Sequence, residues 1–420
     1  MGNHNNKLER KFASLPPQTF PSTNQTQHSS FIRKLSRASK RKKHNVNIQN
    51  GNAGKSGGNT SPSKQQVPVK DSLFMPEYPM LPYVDNGRFK ILEIIARGAF
   101  GNVVRVLDDE DQGVFAMKIM RKSRVMVDGA VQQCKDEATI QNAVGNHPFI
   151  VKPYYFFQNA ESVYIVMEYI PRGELFAAWK HCECFSENLV KIYIAELALV
   201  IDFLHRAGII YRDLKMENIL IDAQGHVQVI DFGLAKWLMT GQRTRTICGT
   251  LQYIAPEVLS MNPYGHSVDW WSLGILMYAL LTGEYPVNGA KNHWEMAKKI
   301  SKNKYLLPSC YTSEARQLVT KLLKFDPEER IHDVMVLQRE PFFLDVKFET
   351  IVKRELNPDV YLAAQASFGF GHREASLSRT TSRGTSLDGD LESSRSSSQK
   401  PTKGKCNWNE SVASLNANLV

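Results

Sequence analysis

Cysteine is scarce in this chain, with six residues among 420. The six lack the paired spacing of a metal site and no secretory leader precedes them, so we expect a reducing compartment and no disulfide framework. Long apolar runs are also missing. The longest, from Leu273 to Leu281, is too short to span a bilayer and predicts a buried helix. These shortages argue against a disulfide-rich secreted domain and against a helical membrane protein.

Acidic residues are scarce in the first 84 positions, which hold thirteen Lys or Arg but only three Asp or Glu. This local surplus equals the net charge of the whole chain, +10, so the remainder is formally neutral. The basic composition therefore gives no reason to expect nucleic acid binding by the folded part. Because the same stretch is rich in Asn, Ser, Gln, Pro and Gly, we predict a disordered basic tail over residues 1–84.

The densest basic run spans residues 33–43 and is interleaved with apolar side chains such as Leu35. Such a run suits an anionic membrane surface, a protein partner or a nuclear address, and a solvated tail without a partner is an equal alternative. Gly2 matches the N-myristoylation motif poorly, because Ser or Thr is missing at the required position. We expect a cytoplasmic monomer, with a peripheral membrane or nuclear location left open.

Alternating apolar residues begin near Phe89 and predict successive strands. Their ranges are Phe89–Ala96, Val103–Leu107 and Val114–Met120. From Glu187 to His205 the spacing becomes helical and the segment is apolar on every face, which predicts a buried helix in a larger helical lobe. The pattern is typical of an α+β fold with a small β-rich N-lobe and a larger helical C-lobe.

The folded domain is expected over residues 85–345. A C-terminal extension is expected over residues 346–365. The remaining residues, 366–420, are dominated by Ser and Arg in their first half and are expected to form a second disordered tail.

Five short motifs follow one another in the domain at spacings that fit a single catalytic unit. They are Gly98-Ala99-Phe100-Gly101, Ala116-Met117-Lys118, Tyr211-Arg212-Asp213 with Asn218, Asp231-Phe232-Gly233 and Ala255-Pro256-Glu257. Each motif alone is weak evidence, but the five in this order indicate phosphoryl transfer. That reaction requires the phosphates to be held, their charge to be neutralised and the acceptor hydroxyl to be aimed in line.

The glycine-containing loop lies between two predicted strands, where small residues let backbone amides approach a triphosphate. Its candidate nucleotide contacts are Ile95, Ala96, Arg97, Gly98, Ala99, Phe100, Gly101, Asn102 and Val103. A dinucleotide-binding interpretation fails because no crossover helix follows. Ala96 replaces the first glycine usual in such loops. Because alanine disfavours positive φ and adds a methyl group, we expect weaker nucleotide binding or loop closure.

Charged side chains supply the remaining chemistry. Lys118 offers a positive charge to the α- and β-phosphates, and Glu137 on the next predicted helix is placed to hold that lysine by ion pairing. Asp213 is the candidate base for the acceptor hydroxyl, and Lys215 is placed to stabilise the transferring phosphoryl group. The candidate Mg²⁺ ligands, both with hard oxygen atoms, are Asn218 and Asp231.

Two structural contacts are also expected in the larger lobe. Glu257 is predicted to pair with Arg330 and brace that lobe. Asp269, which precedes two tryptophans, is predicted to bind the backbone of the loop that contains Asp213.

These residues resemble the AGC group of serine/threonine protein kinases, which includes cAMP-dependent protein kinase. Tyr211 before the Arg-Asp pair, Lys215 after it, and the segment Thr246-Ile247-Cys248-Gly249-Thr250 are typical of the group. Gln133-Cys134-Lys135 and Lys215-Met216-Glu217-Asn218 resemble the ribosomal-protein-S-six-kinase-related subfamily. The resemblance implies a bilobal protein kinase that uses ATP and Mg²⁺ to phosphorylate protein serine and threonine.

The resemblance also implies a site between the lobes. Its adenine contacts would be Ala116, Met167 as gatekeeper, Glu168, Ile170 and Leu220. Glu174 would reach either the ribose or a substrate arginine. Glu174 and Glu217 match positions at which relatives favour arginine two or three residues before the acceptor, so basic protein substrates are expected.

Regulation follows from the same resemblance. Thr246 would be the activating phosphosite, modified by an upstream kinase, and Arg212 would accept its phosphate. Thr250 would contact the catalytic loop. Serines with an arginine three residues upstream are candidates for autophosphorylation or for control by related kinases; they are Ser36, Ser382 and Ser386.

Two departures from the group pattern change these expectations. Ala279 replaces an acid of cAMP-dependent protein kinase, so a strict preference for two arginines is not expected. The group's C-terminal Phe-x-x-Phe motif is represented only by Phe368-Gly369-Phe370, which leaves the position of Glu137 open.

Two other functions compete with an active kinase. A non-enzymatic scaffold of kinase shape is favoured only by Ala96, because the charged motif residues are all present. In the other alternative the basic tail is the functional part and binds membrane or nucleic acid. The kinase domain is then regulated and accompanies the tail without being the main functional part.

Overall fold

The computed structural model describes Tyr78 and residues 88–98, 100–303 and 305–363. All of them belong to one compact unit, residues 71–420. Several sequence features lie outside the described residues: Gly2, the basic run at 33–43, Ala99 of the glycine-containing loop, and the serines and phenylalanines of the C-terminal tail. No helix in the described ranges is long and apolar enough to cross a membrane.

A five-stranded antiparallel sheet forms the N-terminal lobe, with strand order β1-β2-β3-β5-β4. Its strands are β1 Phe89–Arg97, β2 Gly101–Asp108, β3 Val114–Arg121, β4 Pro153–Gln158 and β5 Ser162–Glu168. The three predicted strands are confirmed, each extended by one to three residues. On β2 every second side chain from Val104 is buried, as the two-residue period of a strand requires.

Two helices lie between β3 and β4: α1 Lys122–Val127 and α2 Val131–Val144. The buried face of α2 is mixed in character, since apolar Cys134, Ala138 and Ile140 accompany polar Glu137 and Gln141. Burial of a charged Glu137 requires a cationic partner, and this requirement orients α2 on the sheet.

The C-terminal lobe is mainly helical. Its helices are α3 Leu175–Cys182, α4 Glu187–Arg206, α5 Pro256–Leu259, α6 Ser267–Thr282, α7 His293–Ile300, α8 Ser313–Leu322, α9 Val334–Leu337 and α10 Phe348–Val352. Its short strands are β6 Ile209–Ile210, β7 Ile219–Ile221, β8 Val227–Val229 and β9 Lys236–Trp237, which pair as β6 with β9 and β7 with β8. Single 3₁₀ turns cover Met216–Asn218, Leu251–Tyr253 and Pro341–Phe343. The predicted α+β architecture with two lobes is confirmed.

Helices α4 and α6 form the centre of the C-terminal core. Both predicted buried helices are confirmed. Ser186 begins α4 by accepting a hydrogen bond from the Leu189 amide, and Gly283 ends α6 in the left-handed conformation at φ 77°. A side chain at Gly283 would also collide with the Glu183 carbonyl oxygen at 2.4 Å.

A buried ion pair braces this lobe as predicted. The guanidinium of Arg330 donates to both carboxylate oxygens of Glu257, at 2.8 and 3.1 Å, and the Arg330 side chain is fully buried. Arg330 also lies over the Trp271 ring at 5.2 Å. The bidentate geometry pairs the two opposite charges directly.

Replacement of Arg330 by alanine is expected to lower the free energy of unfolding by about 3–5 kcal/mol, because Glu257 is left buried without its cation. Arg243→Ala is the matched control, since its pair with Glu328 is exposed on both sides and contributes about 1 kcal/mol or less. Urea unfolding followed by tryptophan fluorescence measures both. Equal losses in the two variants would contradict a bracing role for the buried pair.

Candidate active site

The central contact of the site joins strand β3 to helix α2. Nζ of Lys118 forms an ion pair with Glu137 and a second one, at 3.1 Å, with Oδ1 of Asp231. The expected pairing of Lys118 with Glu137 is therefore present. One lysine connects the sheet, helix α2 and the loop that begins the Asp231-Phe232-Gly233 motif.

Charge controls the protonation of this cluster. Burial alone would lower the pKa of Lys118, but the negative charges of Glu137 and Asp231 outweigh it and raise the pKa. The positive charge of Lys118 in turn lowers the pKa of Asp231. Both groups are consequently charged at neutral pH, which is the state needed to hold phosphate and a cation.

Asp213 lies at the centre of a second hydrogen-bond network. Its Oδ2 accepts from Nζ of Lys215 and from Nδ2 of Asn218, both at 2.8 Å. Its Oδ1 accepts from the Thr250 hydroxyl at 3.1 Å, which is the predicted contact of Thr250 with this loop. Three donors from one loop and the segment after it therefore fix the orientation of the carboxylate.

The backbone beneath Asp213 is held in a rare conformation. Arg212 has φ 68°, a left-handed value that is unfavourable for a side chain of this size. Asp269 on α6 accepts from the amides of Tyr211 and Arg212, at 2.9 and 2.8 Å, as predicted. Burial alone would raise the pKa of Asp269, but hydrogen bonds from His205 and these amides outweigh it and lower the pKa.

The hairpin between β1 and β2 differs in one respect from the expectation. Ala96 pairs with Val103 within the sheet and has no positive φ, so the expected conformational cost of this alanine is wrong; only its added methyl group remains. Gly101 is the position that requires glycine. A Cβ there would lie 1.7 Å from the Ile119 carbonyl oxygen of the neighbouring strand.

Predicted nucleotide contacts from both lobes belong to one apolar cluster. Its members from the predicted set are Phe100, Val103, Ala116, Met167, Ile170 and Leu220. Ile95 and Arg97, in contrast, are exposed on the outer strand. Glu168 ends β5, and its amide donates to the Lys152 carbonyl at 2.9 Å.

Comparison with known proteins gives a consistent result. A protein kinase domain model matches residues 89–343, more than half of the chain. The chain belongs to the protein kinase family.

Named relatives place the kinase among serine/threonine kinases. It is 39% identical over 293 residues to "Ribosomal protein S6 kinase-related protein" of Homo sapiens, an alignment covering 69% of this chain and 71% of the relative. It is 38% identical over 272 residues to "RAC family serine/threonine-protein kinase homolog" of Dictyostelium discoideum, covering 64% and 61%. It is 39% identical over 282 residues to "Ribosomal protein S6 kinase alpha-2" of Homo sapiens, covering 65% and 38%.

The kinase thus spans less than two thirds of the length of the last two relatives. The predicted resemblance to the AGC group and to the ribosomal-S6-kinase-related proteins is confirmed by these matches. The domain itself implies the use of ATP and of protein substrates.

One contact in the kinase was not predicted from the sequence. Gln133 on α2, noted only as part of a subfamily pattern, donates through Nε2 to the carbonyl of Gly233 at 2.7 Å. Gln133 lies one helical turn before Glu137, so α2 holds both the lysine partner and the loop of Asp231. No local sequence signal indicates this bond, because its two ends are 100 residues apart.

The predicted phosphosite lies on the surface of the kinase. Thr246 is exposed, and its carbonyl accepts from the Tyr264 hydroxyl. Arg212 donates through Nε to the Leu234 carbonyl at 2.7 Å, while its Nη1 is buried and has no hydrogen-bond partner among the described residues.

Gln133→Ala is expected to weaken ATP binding in the presence of Mg²⁺ about fivefold, since a hydrogen bond of about 1 kcal/mol that holds α2 to Gly233 is lost. Isothermal titration calorimetry gives the dissociation constant. Gln132→Ala is the control, because this exposed neighbour donates its side-chain hydrogen bond to Asp136 on the same helix. Identical constants for the two variants would show that the Gln133 bond does not organise the site.

Proposed function

We propose that this kinase transfers the γ-phosphoryl group of ATP to serine and threonine hydroxyls of proteins with basic residues before the acceptor. The observation that supports catalysis best is the Asp213 carboxylate, held by three donors and lying in the same site as the Lys118 cluster. The charge of Lys215 contributes to the lowered pKa of Asp231, so the two loops are within electrostatic range. A polar loop without function would not require three donors on one carboxylate and a second charged cluster beside it.

Asp213 is proposed to accept or orient the proton of the substrate hydroxyl. Lys215, bonded to the same carboxylate, is placed to stabilise charge on the phosphoryl group during transfer. Lys118, kept cationic by Glu137, is proposed to bind the α- and β-phosphates. The polar side chains thus serve positioning and charge stabilisation, which dominate phosphoryl transfer.

Asn218 and Asp231 fit a hard cation, because one offers an amide oxygen and the other a carboxylate with a lowered pKa. In the ranges that the structure describes, no three His, Cys, Asp or Glu side chains cluster as metal ligands. Mg²⁺ would therefore be shared with phosphate oxygens of the nucleotide, as is usual for this ion. When bound, it supplies positive charge to the phosphates.

The preference for basic substrates rests on Glu174 and Glu217. Burial and the charge of Glu217 raise the pKa of Glu174, so the two carboxylates lie close together. Within the described part of the chain, Oε2 of Glu217 is buried and has no hydrogen-bond partner. A substrate guanidinium would satisfy that oxygen and relieve the repulsion between the two acids.

We also propose that Thr246 is phosphorylated by an upstream kinase. Its exposure permits modification. Burial raises the pKa of Tyr264, whose hydroxyl donates to the Thr246 carbonyl, and Arg212 is close enough to oppose that rise. A phosphate there would order the activation segment around Thr250, which already contacts Asp213.

Asp213→Ala is expected to lower kcat about 10²- to 10⁴-fold, because the group that receives or orients the proton is lost. The assay uses Mg²⁺, labelled ATP and a peptide with arginine three residues before serine. Asp345→Ala, a change at an exposed ion pair with Lys191, is the control and should leave kcat within twofold. No transfer by the unmutated protein, even with Thr246 phosphorylated, would favour the non-enzymatic scaffold.

Glu217→Gln is expected to reduce discrimination for arginine. The unmutated kinase should prefer the peptide with arginine over its alanine counterpart by about tenfold or more in kcat/KM, since a charged hydrogen bond contributes about 1.5–3 kcal/mol. The variant should lose most of this ratio while its rate on the alanine peptide is unchanged. Glu161→Gln, at an exposed turn, is the control. A ratio unaffected by Glu217→Gln would remove this carboxylate from substrate recognition.

A further inference from the structure

Tyr78 lies in the predicted tail yet is buried against the N-terminal lobe. Its side chain is 6% exposed, and its ring stacks on Phe156 of β4 with a centroid distance of 5.1 Å and an interplanar angle of 22°. Aromatic stacking with nearly complete burial is the signature of a specific docking contact rather than of a solvated tail.

A polar contact fixes the backbone of Tyr78 as well. Its carbonyl accepts from Nε2 of Gln158 at 3.1 Å, and Oε1 of Gln158 accepts from Nζ of Lys122 at 2.9 Å. Gln158 and Lys122 are both buried. Strand β4 and helix α1 therefore hold Tyr78 through a buried hydrogen-bond chain, which defines one orientation of the docked residue.

The docked ring shares a buried cluster with helix α2. The cluster includes Val125 of α1, Ala130 immediately before α2, and Cys134 and Ala138 of α2. Cys134 and Ala138 flank Glu137, whose carboxylate pairs with Lys118. Tyr78 thus belongs to the buried cluster that packs on the face of α2 from which Glu137 reaches the catalytic lysine.

We propose that Tyr78 is a positioning residue in cis: docked on the surface formed by α1, α2 and β4, it holds α2 where Glu137 engages Lys118. The effect on catalysis rests on the proposed function, whereas the docking itself does not. Loss of the ring would remove one wall of the buried cluster and allow α2 to move away from the sheet.

Cys134 provides a readout that does not depend on activity. Its side chain is fully buried, and burial raises the pKa of its thiol to about 12, so alkylation requires opening of the cluster. Cys310 is exposed and serves as an internal reference in the same molecule. The rate of alkylation at each cysteine is measured by mass spectrometry on the full chain.

In Tyr78→Ala, the alkylation rate of Cys134 relative to Cys310 is expected to rise at least about tenfold, and KM for ATP to rise with little change in the substrate-peptide KM. Tyr78→Phe should match the unmutated protein, because it keeps the stacking ring. Tyr154→Ala, which removes a half-exposed aromatic ring from the same strand β4, should leave Cys134 protected.

A peptide of residues 71–84 added in trans should restore protection of Cys134 and the KM for ATP in Tyr78→Ala, whereas the same peptide with Tyr78→Ala should not. Unchanged Cys134 protection in folded Tyr78→Ala, or failure of the peptide to restore it, would overturn the proposal. Should Tyr78→Ala not fold, Tyr78→Leu gives the same test with an apolar side chain retained. If the protection of Cys134 depends on Tyr78 but the protein has no transferase activity, the proposed function is refuted while the docking of Tyr78 stands.

Discussion

The ion pair between Lys118 and Glu137 is the contact on which the site depends. The pair joins β3, an interior strand, to α2, a helix that contacts the sheet through only part of its surface. Both side chains are largely buried from water. A buried carboxylate without its lysine would carry a large desolvation cost, so the pair constrains α2 strongly. Asp231 completes the arrangement by placing the second lobe's loop on the same ammonium group.

A second constraint acts in the C-terminal lobe. Asp269 accepts two consecutive backbone amides and thereby stabilises the left-handed conformation of Arg212. The strained turn directs Asp213 toward Lys215, Asn218 and Thr250. Rigid helices thus support a short loop whose conformation would be unfavourable by itself, as is common where reacting groups must be held in place.

Much of the fold follows from local patterns. The strands near Phe89 and the buried helix from Glu187 could be predicted because their periodicity is set by neighbouring residues. The pairings of Glu257 with Arg330 and of Asp269 with the loop backbone could be predicted from charged residues in and after the motifs. The backbone of Ala96 could not, since the hairpin register, rather than the residue's own preference, determines its φ. The prediction of a disordered tail over residues 1–84 is wrong at Tyr78, which is buried by packing on β4, and the rest of the two tails stays a prediction.

The sequence by itself determined which chemical groups are available: the lysine, the acids, the amide and the small residues of the hairpin, in an order that few functions other than phosphoryl transfer require. Only the tertiary structure decided which distant groups meet. Gln133 bonds to a carbonyl 100 residues away, and Tyr78 docks on Gln158 and Phe156. Such contacts form only when whole helices and strands pack together. The free energy that stabilises them comes from side chains buried throughout the lobe, so no local pattern in the chain indicates them.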